Sequence, residues 1–151
     1  ALVNDSFQNW RGMFDIGGRR VKRSIHIDMN TVRFCTEEEL AHFKQQPWME
    51  GVEETGKEEV NLYLFRHYLD YYLRHHPKVN QDMIMLVRQL QPTEHGMPIE
   101  LYFFSANTAW VKYEALQAEV FDHVLAVVHR FGLKVFQSPT GLDLQSLAKE
   151  S

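Results

Sequence analysis

Eight histidines and a single cysteine are spread over the 151 residues, and their spacing decides whether they can assemble a reactive centre. A helix-borne pair of metal-binding imidazoles needs an i, i+4 spacing. His123 and His129 are six apart, His75 and His76 are adjacent and face different sides of a helix, and His26 and His42 have no near partner. A closed zinc site wants three or four converging ligands, so surface or helix-end histidines are expected and no metal site is predicted. One cysteine excludes an intramolecular disulfide and any Cys-based zinc cluster. Cys35 lies just before a helix start, where the dipole could lower its pKa; a small half-buried residue at a strand end is the stronger expectation. Ser105 and Ser138 lack the flanking glycines of a nucleophile elbow. Asp122 and His123 are adjacent on a helix and diverge by ~100°, so they cannot serve one site. Glu37-Glu38-Glu39 and Glu53-Glu54 read as capping or solvated carboxylates. Gly17-Gly18 leads into a strand, not into the helix that a phosphate-cradling loop requires. No catalytic, cofactor-binding or metal-ligating residue is predicted, and the chain is not read as an enzyme.

What remains is charge. Arg19, Arg20, Lys22 and Arg23 form the densest basic cluster in a chain whose 16 Lys and Arg face 20 Asp and Glu, for a net charge of -4. An acidic remainder argues against a nucleic-acid surface, which needs a broad positive face. The cluster is expected to make salt bridges to a neighbouring domain or subunit, or else to create a local field that draws anions or anionic headgroups. Trp10 lies outside the periodic elements and is a candidate interface residue. Most of Phe65, Tyr68, Tyr72, Phe103, Phe121 and Phe131 are expected in the core.

The elements that position these residues follow from periodicity. With 44% hydrophobic residues the chain has a globular composition, and no apolar run exceeds five residues, as at 124–128. Crossing a bilayer takes ~18–20. Val21, Ile25, Ile27 and Met29 alternate with Lys22, Ser24, His26 and Asp28, predicting a half-buried strand in which Arg23 breaks the apolar face. Thr36 and Glu39 form a capping box for a short helix that Pro47 stops. Residues 51–59 read as an exposed acidic loop. A second helix is predicted over 58–75, with Leu62, Phe65, Leu69 and Tyr72 inward. A strand over 82–91, apolar on both sides, is expected at the centre of the sheet. A hairpin loop at 92–98 and a strand at 99–105 follow. A long helix capped by Asn107 or Thr108 runs to Phe131, with Gly132 at its C′ position, before a last short strand at 133–136. This order predicts an α+β fold of the ferredoxin-like split βαβ type, a four-stranded antiparallel sheet with two main helices on one face.

Several stretches resemble one family. Asn9-Trp10-Arg11-Gly12-Met13 and Gly17-Gly18-Arg19-Arg20-Val21-Lys22-Arg23 are similar to a signature of the small-conductance mechanosensitive channel (MscS) family, miniconductance branch. Further matches are Met85-Leu86-Val87-Arg88-Gln89-Leu90-Gln91-Pro92, Tyr113-Glu114, Phe121-Asp122-His123 and Gln137-Ser138-Pro139-Thr140-Gly141. The similarity runs in order from Leu2 to Leu142; residues 47–57 depart from it by being shorter and more acidic.

The resemblance implies a soluble portion of a longer membrane protein, and the opening Ala1-Leu2-Val3-Asn4-Asp5-Ser6-Phe7 does read as the interior of one. Residues 1–18 would be the last strand of a small β domain and a linker, 19–142 the ferredoxin-like α/β domain, and 143–151 a C-terminal tail. The parent would be a homo-oligomer, a heptamer by resemblance, on the cytoplasmic side of the bacterial inner membrane. It would open under tension in hypoosmotic shock and pass ions and small solutes, with membrane contact only through helices absent from this chain. No cofactor and no nucleic-acid partner is implied. Trp10, Arg11, Arg19, Arg20, Lys22 and Arg23 would lie at the junction between the two domains, as interface or vestibule-portal residues. The competing reading is a ferredoxin-like regulatory module that binds a small molecule. An acylphosphatase-type enzyme fits less well, because Asn30-Thr31-Val32-Arg33 has no glycine to cradle an anion.

Overall fold

The computed structural model describes residues 18–138, so the predicted β-domain strand and linker, the C-terminal tail, and Trp10 and Arg11 lie outside the described residues. Three strands form one antiparallel sheet: β1 (Arg20–Ile27), β2 (Leu86–Gln89) and β3 (Met97–Phe104), in the order β1-β3-β2. Three helices accompany them: α1 (Glu37–Lys44), α2 (Asn61–Arg74) and α3 (Trp110–Val127), the last continued by a 3-10 turn at Val128–Phe131. The class is α+β.

The register explains which strand residues turn inward. Val21, Arg23, Ile25 and Ile27 pair with Phe103, Leu101, Ile99 and Met97. Apart from Arg23 and the half-buried Met97, these side chains are buried in one core with Leu62, Leu64, Phe65, Leu69 and Leu73 of α2 and Leu116, Val120, Val124 and Val127 of α3. Arg23 keeps its place on this face by laying its guanidinium 4.3 Å from the ring centre of Phe121, so the break in the pattern is a cation–π contact.

Two strand expectations are corrected. The predicted strand at 82–91 is a four-residue edge strand, not a central one, with Ile84 60% and Leu86 40% exposed. Its apolar residues do point both ways: Met85 and Val87 turn toward the helices, whereas Ile84 and Leu86 lie on a face that no helix covers. The centre belongs to β3, which pairs on both sides. The predicted fourth strand at 133–136 is a single antiparallel bridge, Ile27 to Val135. Asp28 N donates to Lys134 O and Phe136 N to His26 O, each at 2.8 Å. The chain returns from Gly132 beside the very end of β1, which leaves little ladder to pair with.

The helix punctuation follows local chemistry. Thr36 Oγ1 accepts from Glu39 N at 3.1 Å and Glu39 Oε1 accepts from Thr36 N at 2.8 Å, the predicted capping box. Arg33 grips the same carboxylate through two nitrogens at 2.7 and 3.0 Å, and hydrogen bonds from Arg33 and then Thr36 push Glu39 down to about 2. Gly132 takes φ +70 at the end of the last turn, and a Cβ there would sit 2.5 Å from the Arg33 guanidinium. Helix α3 starts later than predicted: Ala109 precedes it, and Asn107 Oδ1 accepts from Ala109 N outside the helix.

The acidic loop is tied to its surroundings by Tyr63 Oη, which donates to Glu53 O at 2.5 Å, by Lys44, 3.5 Å from Glu54, and by Glu59. Glu59 is 1% exposed, accepting from Thr55 N and Thr55 Oγ1 at 2.7 and 2.8 Å, so it is not part of the solvated stretch. The turn at Pro47–Met49 docks through aromatic contact: Phe131 lies 4.9 Å from Phe43, 5.6 Å from Trp48 and 5.4 Å from Phe65, centre to centre.

Asn61, at the start of α2, is fully buried. Its Nδ2 donates to Thr31 O at 3.0 Å and Phe131 O at 2.9 Å, and its Oδ1 accepts from Arg33 N at 3.0 Å. Asn61→Leu, similar in volume, strands all three main-chain groups. A loss of roughly 3 kcal/mol or more in urea unfolding is expected, at ~1–3 kcal/mol per buried group left unsatisfied. A loss under ~1 kcal/mol would show that water or rearrangement replaces the tie.

Candidate functional site

The basic cluster begins where the described chain begins. Gly18 has φ +79, and a Cβ there would fall 1.5 Å from Ser105 O, so the close approach to the end of β3 requires glycine. Ser105 is the pin at that junction. It is buried, its Oγ accepts from Arg19 N at 3.2 Å and donates to Asn107 O at 2.7 Å, and Ser105 N donates to Arg19 O at 2.9 Å. That hydroxyl is committed to holding loops together. Tyr113 of α3 adds a third hold, its Oη donating to Arg20 O at 2.6 Å.

The four cations leave this anchored backbone on different faces. Arg23 points to the helices, whereas Arg20 and Lys22 share the uncovered sheet face with Tyr102, Phe104, Leu86 and Arg88. Their electrostatic partners are aromatic: Arg19 lies 5.6 Å from the ring centre of Tyr113 and Arg20 lies 5.9 Å from that of Tyr102. Among the described residues none of Arg19, Arg20, Lys22 and Arg23 forms an ion pair. Ring contacts hold a guanidinium in place for ~0.5–1 kcal/mol without neutralising it, so the positive field of the strand is left to act on solutes or on a partner. The one acid on the same face, Glu100, is 2% exposed and taken by Arg88.

A second constellation joins residues far apart in sequence. Tyr68 Oη is hydrogen-bonded to His123 Nε2 at 2.5 Å, and His123 stacks on Tyr72 with ring centres 4.1 Å apart. His76 is buried with its Nε2 3.3 Å from Glu119, whose other oxygen receives Lys78 Nζ at 3.1 Å. The Lys78 hydrogen bond, ahead of the charge of His76, holds Glu119 below the usual carboxylate range. Burial, then the Glu119 charge, pushes Tyr72 up to about 12. Burial first, then the charges of Arg130 and His76, pushes His123 below the ordinary imidazole range. This phenol–imidazole row clasps α2 to α3. Spacing along the chain carries no information about partners on another helix, and Tyr68 and His123 are 55 residues apart.

The remaining sites can be placed directly. Cys35 is buried, and desolvation raises its thiol pKa, so the helix-dipole reading does not hold. Asp122 is exposed while His123 is half-buried, consistent with their divergence on the helix. Trp48 is in the core, but Trp110 is 62% exposed. Among the described residues no group of three or more His, Cys, Asp or Glu is disposed to hold a metal ion, and no helix is long and apolar enough to cross a membrane.

No protein-family model matches the chain.

Because His123 has its folded-state pKa below the unfolded value near ~6.5, the stability tied to its neutral ring is complete above that value. It is lost as pH falls through it toward the folded pKa. The urea midpoint is therefore expected to fall between about pH 7 and pH 5. His123→Phe, which keeps the stack on Tyr72 but cannot titrate, should flatten that fall. Parallel pH profiles for the two proteins would refute the assignment.

Proposed function

We propose that this chain is the cytoplasmic vestibule domain of a tension-gated channel of the MscS family, a wall and filter for permeating solutes with no catalytic role. The ordered match of motifs from Leu2 to Leu142 supports the family. In the same reading the architecture is ferredoxin-like. The bridge of Val135 to the outer side of β1 supports this, because it extends the order β1-β3-β2 in the direction a fourth strand would take. The full-length protein is then an oligomer in the bacterial inner membrane, and this portion hangs on its cytoplasmic side.

The observation that carries the functional reading is the unneutralised cationic strand. By the resemblance, Arg19, Arg20, Lys22 and Arg23 stand at the junction of the β and α/β domains, near the side openings through which solutes reach the pore. Cations at such an opening concentrate anions locally and repel cations, which biases what enters without contributing a binding site. Their aromatic supports fit this role, since a ring orients a guanidinium while leaving its charge unmatched. Tyr113 and Ser105 hold the strand that carries them, so the charges are displayed from fixed backbone.

Reversing both charges, Arg19→Glu with Arg20→Glu, in the full-length channel should lower the anion-to-cation permeability ratio. Reversal potentials of excised patches in a salt gradient would measure it. Unchanged selectivity in intact oligomers would remove the portal role.

A further inference from the structure

Strand β2 forms one edge of the sheet, and the phase of its ladder can be read directly. Leu90 N donates to Pro98 O at 3.0 Å, in the same register that sets Leu86 against Tyr102 and Arg88 against Glu100. Antiparallel ladders alternate, so the even-numbered residues of β2 bond to β3, and the N–H and C=O groups of Val87 and Gln89 point outward. Among the described residues these outward groups have no hydrogen-bond partner. An unpaired strand edge is a template for another strand.

Beside this edge, Arg66, His67 and Arg74 of α2 and Met85, Leu86 and Val87 line a hollow of about 300 Å³. Asp70 also lines it, but its carboxylate is taken by Arg74 at 2.8 Å. Arg88 is likewise matched, by Glu100. Arg66 is not: its guanidinium lies 5.9 Å from the Tyr63 ring, and its Nε is buried without an acceptor among the described residues. The buried Nε is closed to an incoming group, but the guanidinium forms no ion pair among the described residues and leaves an unmatched positive charge in the lining of the hollow. Ile84, just before the strand, and Leu86, its first residue, are exposed and offer apolar contact.

One ligand chemistry meets all three conditions. We propose that the β2 edge and Arg66 together form a docking site for an extended acidic segment of another polypeptide, which adds to the sheet as a strand and places a carboxylate on Arg66. A second copy of this chain is a poorer occupant. Antiparallel pairing with Val87 opposite Gln89 sets the Arg88 side chains of the two copies directly across from each other, which is destabilising, and brings no carboxylate to Arg66.

The test uses the full chain and a fluorescein-labelled peptide of alternating glutamate and valine, with a lysine–valine peptide as control. Anisotropy should show binding of the acidic peptide alone, and amide exchange at Val87 and Gln89 should slow on binding. Arg66→Gln should weaken binding about tenfold or more, as removal of one charged hydrogen bond implies. Val87→Pro deletes an outward N–H, a position where an edge strand tolerates proline, and should weaken it similarly, whereas Val87→Ala, which gives up the same half-buried side chain but keeps the N–H, should bind as the unaltered chain does. Equal binding of the lysine peptide, unaltered exchange at Val87 and Gln89, or full affinity in Arg66→Gln would overturn the proposal. Concentration-dependent self-association that Val87→Pro abolishes would also overturn it and give the edge to a second copy.

Discussion

The Asn61 carboxamide uses both donors and its acceptor on main chain from three places: the turn after β1, the segment leading into α1, and the end of α3. Its backbone N–H adds a fourth bond, to Arg33 O. The bond to Phe131 O is fully buried, so without the carboxamide that carbonyl would be sealed from water without this partner. The consequence reaches beyond stability. The same region carries Phe131, on which the aromatic rings of α1, the following turn and α2 converge. Holding the end of α3 against the start of α2 therefore sets the position of the whole insert between β1 and α2.

At the opposite end of β1 the holding device is different in kind. Ser105 and Tyr113 grip the backbone of Arg19 and Arg20, leaving the side chains to rest on rings. A salt bridge would have positioned those guanidinium groups equally well but cancelled their charge. The arrangement keeps a dense positive strand on a protein of net charge -4. On the same uncovered face the buried Glu100 is assigned to Arg88, so it does not quench the cations of β1.

Legibility from sequence varied with the range of the interaction. The Thr36–Glu39 capping box, Gly132 at the helix end, Val21, Ile25 and Ile27 on the inward face of β1 and the apolar stripe of α2 depend on residues within a few positions and were readable, whereas Met29, expected on the same face, is 45% exposed in the turn after the strand. The rank of β2 in the sheet was not. Methionines and leucines on both sides of 83–87 fit a central strand, yet an edge strand over a helix and under solvent displays the same composition. Tyr68 and His123 are 55 residues apart, and Glu100 reads as a solvent-facing residue in an alternating strand until Arg88 is placed beside it. Asn61 falls inside the helix predicted over 58–75, and its three main-chain partners lie 28, 30 and 70 positions away, beyond any local signal.

Local steric and hydrogen-bonding preferences act between near neighbours, so the sequence alone determined the α+β class, where most elements start and stop, and the cationic run 19–23. Strand order and partner choice across the fold came only with the tertiary structure. They depend on which apolar faces close over one another, and that closure brings together side chains whose separation along the chain carries no trace of the meeting. It put β3 at the centre, reduced the expected last strand to one bridge, and set aromatic rings beside Arg19, Arg20 and Arg23.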